Sequence, residues 1–418
     1  MTSARRTCST ASAAWAPAPT RSRTRGTNGS SSSANASLPA GGEEAEGLVA
    51  AVERRPDDGL LPSPTGGAET MKFDAISMAQ PVRDVPALVR DAEAAGFDGL
   101  WFTESGHTAY TGCTAAALTA QRLDVGTAVA LAFPRSPMVT AQVAWELADA
   151  TGGRFILGLG TQVKAHIERR YGVAFEHPGS RLREYVLALR AIFAAFQSGA
   201  PLDFRGDHWR LDLLPRTWSP GPIEHPDVPI YVAAVRPWMA RMAGEVADGV
   251  HVHPFHSPRY LREVVLPAVH DGATSAGRDP SRLAIVCPVM ANVGDTEAEL
   301  AAARDEHRLR VAFYGSTRTY HGVFDLHGWD GTADRLHELQ RAGDLAGMAA
   351  TITDEMLDAY TVTATWAELA DALVARYRGI ADRLVMYGAT EGWRPGEGGA
   401  FDRWRGVAAA VARATHAA

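Results

Sequence analysis

Between Met71 and Tyr387 short apolar runs alternate with longer stretches of helical periodicity. Short continuous apolar runs bounded by turn signals read as buried parallel strands, and apolar positions at i, i+3 and i+4 read as one face of a helix. The strands fall at 73–78, 99–102, 125–131, 155–158, 229–233, 249–253, 283–290 and 383–387. Helices are predicted at 85–95, 115–122, 137–150, 181–197, 237–246, 258–276, 296–313, 366–377 and 401–414. Pro137 sits in a first helical turn, where its missing N–H does no harm, and Gly96 and Gly152 stand where helices end. Two stretches break the alternation. Residues 202–214 alternate apolar and polar positions around Gly206-Asp207 and read as a hairpin, and a mainly helical excursion runs from Thr296 to about Tyr360. The pattern predicts an α/β fold, a closed (β/α)8 TIM barrel with insertions after strands four and seven; a doubly wound open sheet is the alternative.

Composition changes this picture at the N-terminus. Residues 1–70 are rich in Ser, Thr, Ala, Gly and Pro and are predicted to be disordered, because they cannot bury enough apolar surface to offset the entropy of ordering. Met71 directly precedes the first good strand, so a translation start there is the simplest reading of the extension, and the barrel domain is assigned to 71–418. A hydrophobic content of 46% supplies the core, and a net charge of −7 argues against a nucleic-acid partner. No apolar run is long enough to span a bilayer. Cys8, Cys113 and Cys287 form no paired motif, which points away from a disulfide framework and towards a reducing cytoplasm.

Barrel chemistry lies at the carboxyl ends of the strands. After strand two, Glu104 and His107 are close enough in sequence to form an acid–base pair, or Glu104 caps backbone amides. After strand four, Gly158, Gly160 and Thr161 form either a tight turn or a concavity of amides suited to phosphate; Val163 replaces the third glycine of a dinucleotide fingerprint. Lys164 and Arg236 flank adjacent strand ends and are candidate anion partners or solvated charges. His251 and His253 are two apart, so on a strand they point to one side and suit either a metal or contact with a ligand. No carboxylate or modified lysine completes a metal set, so none is assigned.

The blocks Val125-Gly-Thr-Ala-Val-Ala-Leu-Ala-Phe-Pro-Arg-Ser-Pro-Met138 and Gly152-Gly-Arg-Phe-Ile-Leu-Gly-Leu-Gly-Thr161 resemble the luciferase-like monooxygenase superfamily. Pro229-Ile-Tyr-Val-Ala-Ala234 and Ala243-Gly-Glu-Val-Ala-Asp-Gly249 add to the likeness, which is strongest with the deazaflavin branch. The resemblance implies a homodimeric barrel holding coenzyme F420, or alternatively FMN, and passing a hydride to or from a small organic substrate. It places Gly158, Gly160, Thr161, Gln162, Ala234, Val235 and Arg236 at the cofactor's phosphate. It puts Glu104 beside the ring with His107 as the proton-handling candidate, and leaves His251 and His253 in reserve. It also implies a non-prolyl cis peptide near Thr127 to Ala130, which puts Thr127, Ala128 and Ala130 behind the ring. An FMN-dependent monooxygenase, a non-catalytic flavin-binding barrel and a metal hydrolase are the competing readings.

Overall fold

The computed structural model describes residues 71–416 apart from 79, 398 and 400; the expectation of disorder over 1–70 lies outside the described residues. Eight parallel strands form the barrel: β1 (Lys72–Ser77), β2 (Gly99–Phe102), β3 (Asp124–Thr127), β4 (Phe155–Gly160), β5 (Ile230–Ala234), β6 (Gly249–Val252), β7 (Ala284–Val289) and β8 (Arg383–Met386). Their order is β3-β2-β1-β8-β7-β6-β5-β4, and pairing of Val125 with Phe155 and Gly126 with Ile156 joins the two ends. The sheet is closed, as the alternating pattern predicts, and the open-sheet alternative falls.

Helix bounds follow the punctuation. The helix Val85–Ala95 ends at Gly96 with φ 91°, and Pro137–Ala150 starts on Ser136, whose hydroxyl accepts from the Val139 amide. The helix predicted over 115–122 instead runs Ala109–Ala117. Its buried residues Tyr110, Cys113, Ala116 and Ala117 recur at helical spacing, so packing sets its start earlier than the apolar run alone suggested. Insertion one, after β4, carries the long helix Pro178–Ser198 and the hairpin Phe204–Arg205 with Arg210–Leu211. Insertion two, after β7, carries the helix Glu297–Gly315, opened by a capping box at Thr296 and Glu299.

Strand alternation divides the core in two. One set of side chains packs outward under the helices. The other points into the barrel, where Ile76, Trp101, Ile156, Tyr231, Val286 and Val385 interdigitate. Below them, at the amino ends of the strands, Arg383 is held by both Asp74 oxygens at 2.6 and 2.9 Å and by Asp124 at 2.6 Å. Trp101 donates to Asp74 at 2.9 Å, and Lys72 reaches Asp124 at 2.6 Å. Burial works against charge here, but Asp74 and Asp124 hold Arg383 protonated, and Arg383 with Lys72 holds Asp124 below the usual carboxylate range. Among the described residues no helix is long and apolar enough to cross a membrane.

Candidate active site at the barrel mouth

The third apolar run does not continue as one strand. After Thr127 the chain passes through a cis peptide between Ala128 and Val129, then pairs again as Ala130–Leu131 against Leu159 and Gly160. The Thr127 hydroxyl donates to the Gly158 carbonyl at 2.6 Å and accepts from the Gly158 amide at 2.9 Å. The cis bond lies inside the stretch where the family resemblance implies one.

This arrangement reassigns several candidates. The Gly158 amide is spent on Thr127, so it is not free for a phosphate. A Cβ on Gly158 would lie 1.9 Å from the Thr127 carbonyl and 2.7 Å from His251 Nε2; glycine is needed there to admit the histidine ring. Thr127 and Ala130 are fully buried, the one committed to Gly158 and the other in the outer core, so neither can face a ring. Ala128 remains half-exposed, resting with Met78 and Tyr387 on the inner layer of the barrel. Beside it, a Cβ on Gly160 would come within 2.6 Å of the Val129 side chain.

At the β4 end, Gln162 takes φ 57°, its side chain accepts from the Val163 amide at 2.9 Å, and the Thr161 hydroxyl donates to the Gln162 carbonyl. The left-handed turn exposes Gln162 where β5 lies alongside. At the β5 end Ala234 is buried, the Val235 carbonyl accepts from the Tyr260 hydroxyl at 3.0 Å, and Arg236 is exposed. Lys164 is exposed and pairs with Glu168 at 3.6 Å.

Glu104 and His107 are not partners. The buried Glu104 carboxylate accepts from the Leu131 amide at 2.7 Å and forms a two-pronged ion pair with Arg135. His107 is exposed and, among the described residues, makes no hydrogen bond to Glu104; it borders a small crevice with Met78, Phe102 and Thr111. The expected acid–base pair is therefore corrected to a carboxylate that pins the Ala130–Leu131 extension. Arg135 stands 31 residues from Glu104, beyond the reach of any local motif.

His251 lies in β6 and His253 just past its end, and the two rings meet different partners. His251 lies inside the barrel, edge-on to Trp101 at 4.8 Å, and burial with the charge of Arg383 lowers its pKa to about 3. His253 sits higher, 4.9 Å from the rings of both Tyr314 and Tyr320, and its Nδ1 accepts from the Phe255 amide at 3.1 Å. Burial and the nearby His256 take it to about 3. His256 Nδ1 lies 2.8 Å from the His253 carbonyl and so donates, which leaves Nε2 to accept from the Tyr377 hydroxyl at 3.1 Å; burial lowers its pKa to about 4. All three are neutral imidazoles. Among the described residues no group of three or more His, Cys, Asp or Glu is assembled to hold a metal.

Tyr387, directly after β8 and packed on the inner layer, meets a residue that the strand-tip rule misses. Tyr314 comes from the helix Glu297–Gly315, and the two hydroxyls lie 2.8 Å apart. The Arg310 guanidinium stands 5.7 Å over the Tyr387 ring and is paired with Glu306 at 2.8 Å and Glu391 at 3.1 Å. A separate cleft of about 600 Å³ between Arg304, Asp358, Thr363 and Arg376 shares no residue with the mouth. Its Arg304 is spent on Asp354 and Asp358, and Arg376 donates to the carbonyls of Asp358 and Ala359.

The mouth thus has an apolar, half-exposed floor of Met78, Ala128 and Tyr387, with a left-handed turn and an exposed arginine at two adjacent strand ends. The floor is uncharged and the exposed Arg236 guanidinium is the cation beside it, a donor set compatible with an apolar ring and an anionic tail. The chain belongs to the luciferase-like monooxygenase family, whose model matches residues 63–383. It is 42% identical over 320 residues to an uncharacterised protein of Mycobacterium tuberculosis, covering 77% of this chain and 94% of that one. A putative coenzyme F420-dependent oxidoreductase of the same organism is 31% identical over 294 residues, covering 67% and 83%. The solved coenzyme F420-dependent tetrahydromethanopterin reductase of Methanopyrus kandleri superposes with a TM-score of 0.67 at 20% identity, covering 83% of this chain and 99% of that one.

Proposed function

We propose that the protein is an F420-dependent oxidoreductase that moves a hydride between the deazaflavin and a small organic substrate. The observation that carries this reading is the half-exposed floor of Met78, Ala128 and Tyr387 over a packed inner layer, at the end of the barrel where barrel enzymes do chemistry. Relatives named for the same coenzyme support the choice of cofactor. When bound, the deazaflavin supplies the hydride chemistry.

The chain's own residues have distinct tasks. Met78 and Ala128 face the ring, and Gly160 leaves the Val129 side chain room beside them. Thr161, Gln162, Val235 and Arg236 stand at the two strand ends that receive the tail, where a guanidinium and outward amides suit a phosphate. Glu104 works through Arg135 and Leu131 as a positioning residue. His107, exposed at the rim, remains the proton-handling candidate on that side. Specificity for the small-molecule substrate falls to insertion two, which brings Tyr314 to the mouth. The reading carries with it a cytoplasmic homodimer.

Titration of the purified full-length protein with coenzyme F420 and with FMN, followed by cofactor absorbance and fluorescence, tests this. Saturable deazaflavin binding, and turnover that consumes no oxygen, are expected. Tight binding of FMN alone, with oxygen uptake, replaces the proposal by an FMN-dependent monooxygenase.

A further inference from the structure

We infer that the Tyr314–Tyr387 hydroxyl pair is the recognition element for an uncharged carbonyl or hydroxyl oxygen on the substrate. This deepens the oxidoreductase reading and rests on it for the chemistry, though not for the binding.

The argument is a count of donors. Two phenol hydroxyls carry one hydrogen each, and their contact at 2.8 Å uses one, whichever is the donor. One O–H is left over. Among the described residues neither hydroxyl has another partner, and Tyr387 lies half-exposed on the same floor as Met78 and Ala128. A polar hydrogen in apolar, partly desolvated surroundings costs free energy until an acceptor reaches it. His253 adds a second donor nearby: with Nδ1 accepting from Phe255, the neutral ring carries its proton on Nε2, which has no partner among the described residues.

Charge then narrows the acceptor. Arg310, the cation over Tyr387, is already neutralised by Glu306 and Glu391, and His253 is neutral. Burial raises the tyrosine hydroxyls above their usual range, so they too remain uncharged. A carboxylate or phosphate here would lose its hydration while Arg310, the cation beside the pair, is already taken by two carboxylates. A ketone, aldehyde or alcohol oxygen needs only the donors present. A bound reduced deazaflavin would supply the hydride to the carbonyl carbon; as the π electrons passed to oxygen, the free O–H would supply the proton. The tyrosine would regain its proton from water, since burial favours the neutral hydroxyl.

The test uses carbonyl-labelled acetophenone as the probe and benzoate as its anionic counterpart, on the whole protein with and without oxidised F420. Difference infrared spectroscopy is expected to show saturable ketone binding with the carbonyl stretch lowered from its value in an aprotic solvent, and no competing binding by benzoate. In the double variant Tyr314→Phe/Tyr387→Phe the stretch should move most of the way back to the aprotic value, the remainder coming from His253. Each single variant keeps one hydroxyl and should retain most of the shift. Turnover of the double variant on ketones should fall roughly 10²-fold. Absence of ketone binding to the wild type, an unshifted stretch, or benzoate binding as well as ketone overturns the inference. Because the infrared signal is read without cofactor, failure to bind F420 sinks the proposed function and leaves this result standing.

Discussion

The two ends of the barrel solve opposite problems. At the amino ends of the strands, charge is buried and fully paired: Arg383 is enclosed by Asp74 and Asp124, with Lys72 alongside and Trp101 donating from above. At the carboxyl ends, charge is kept away from the centre. The groups facing inward there are apolar or neutral, and they stay half-exposed. A closed floor and an open mouth on one set of strands separate what holds the barrel from what a ligand meets.

Three measurements press on that contrast. Arg383→Leu should be the most damaging, because it leaves the buried Asp74 carboxylate without its cation and Asp124 with Lys72 alone; a loss of about 3–5 kcal/mol in urea unfolding is expected. A loss below about 1 kcal/mol would mean that the floor does not hold the fold.

Acid should act through the mouth instead. His251, His253 and His256 have folded pKa values lowered by burial, so their contribution is present above the unfolded value near 6.5 and is lost as pH falls below it. Between pH 7 and pH 5.5 each should cost about 1 kcal/mol, read as a falling urea midpoint. A midpoint that stays level over that range would place these imidazoles in water.

Gly158→Ala should be milder, at about 1–3 kcal/mol, since one methyl must displace the Thr127 carbonyl and the His251 ring. Its signature is local: the His251 imidazole resonance should move while that of exposed His107 does not. A variant as stable as the wild type would show that His251 is not packed on this glycine.

Much of the architecture was legible in order along the chain. Apolar runs marked the strands, and helix limits at Gly96, Pro137 and Pro237 coincide with residues whose backbone preferences are strong. The site was less legible, because its partners meet across the barrel. Glu104 looked poised for His107, three residues on, yet Arg135 takes it. Spacing singled out His251 and His253 but could not show that one lies in the packed interior and the other against Tyr314. Tyr314 was hidden in a helix of the excursion. One overlooked signal was present: Asp74 and Arg383 are charged residues at the starts of strands that are otherwise apolar, and such residues must find each other inside.

The Thr127 side chain, which both gives to and takes from Gly158, works as a stitch replacing one rung of the main-chain seam between β3 and β4. Because a side chain closes that seam, residues 128 and 129 can turn aside, and the Ala128 amide still finds the Phe102 carbonyl at 2.9 Å. Valine has threonine's outline but no hydroxyl, so exchanging the two would undo the stitch while leaving the shape unchanged, and the loosened weave would surface at the rim.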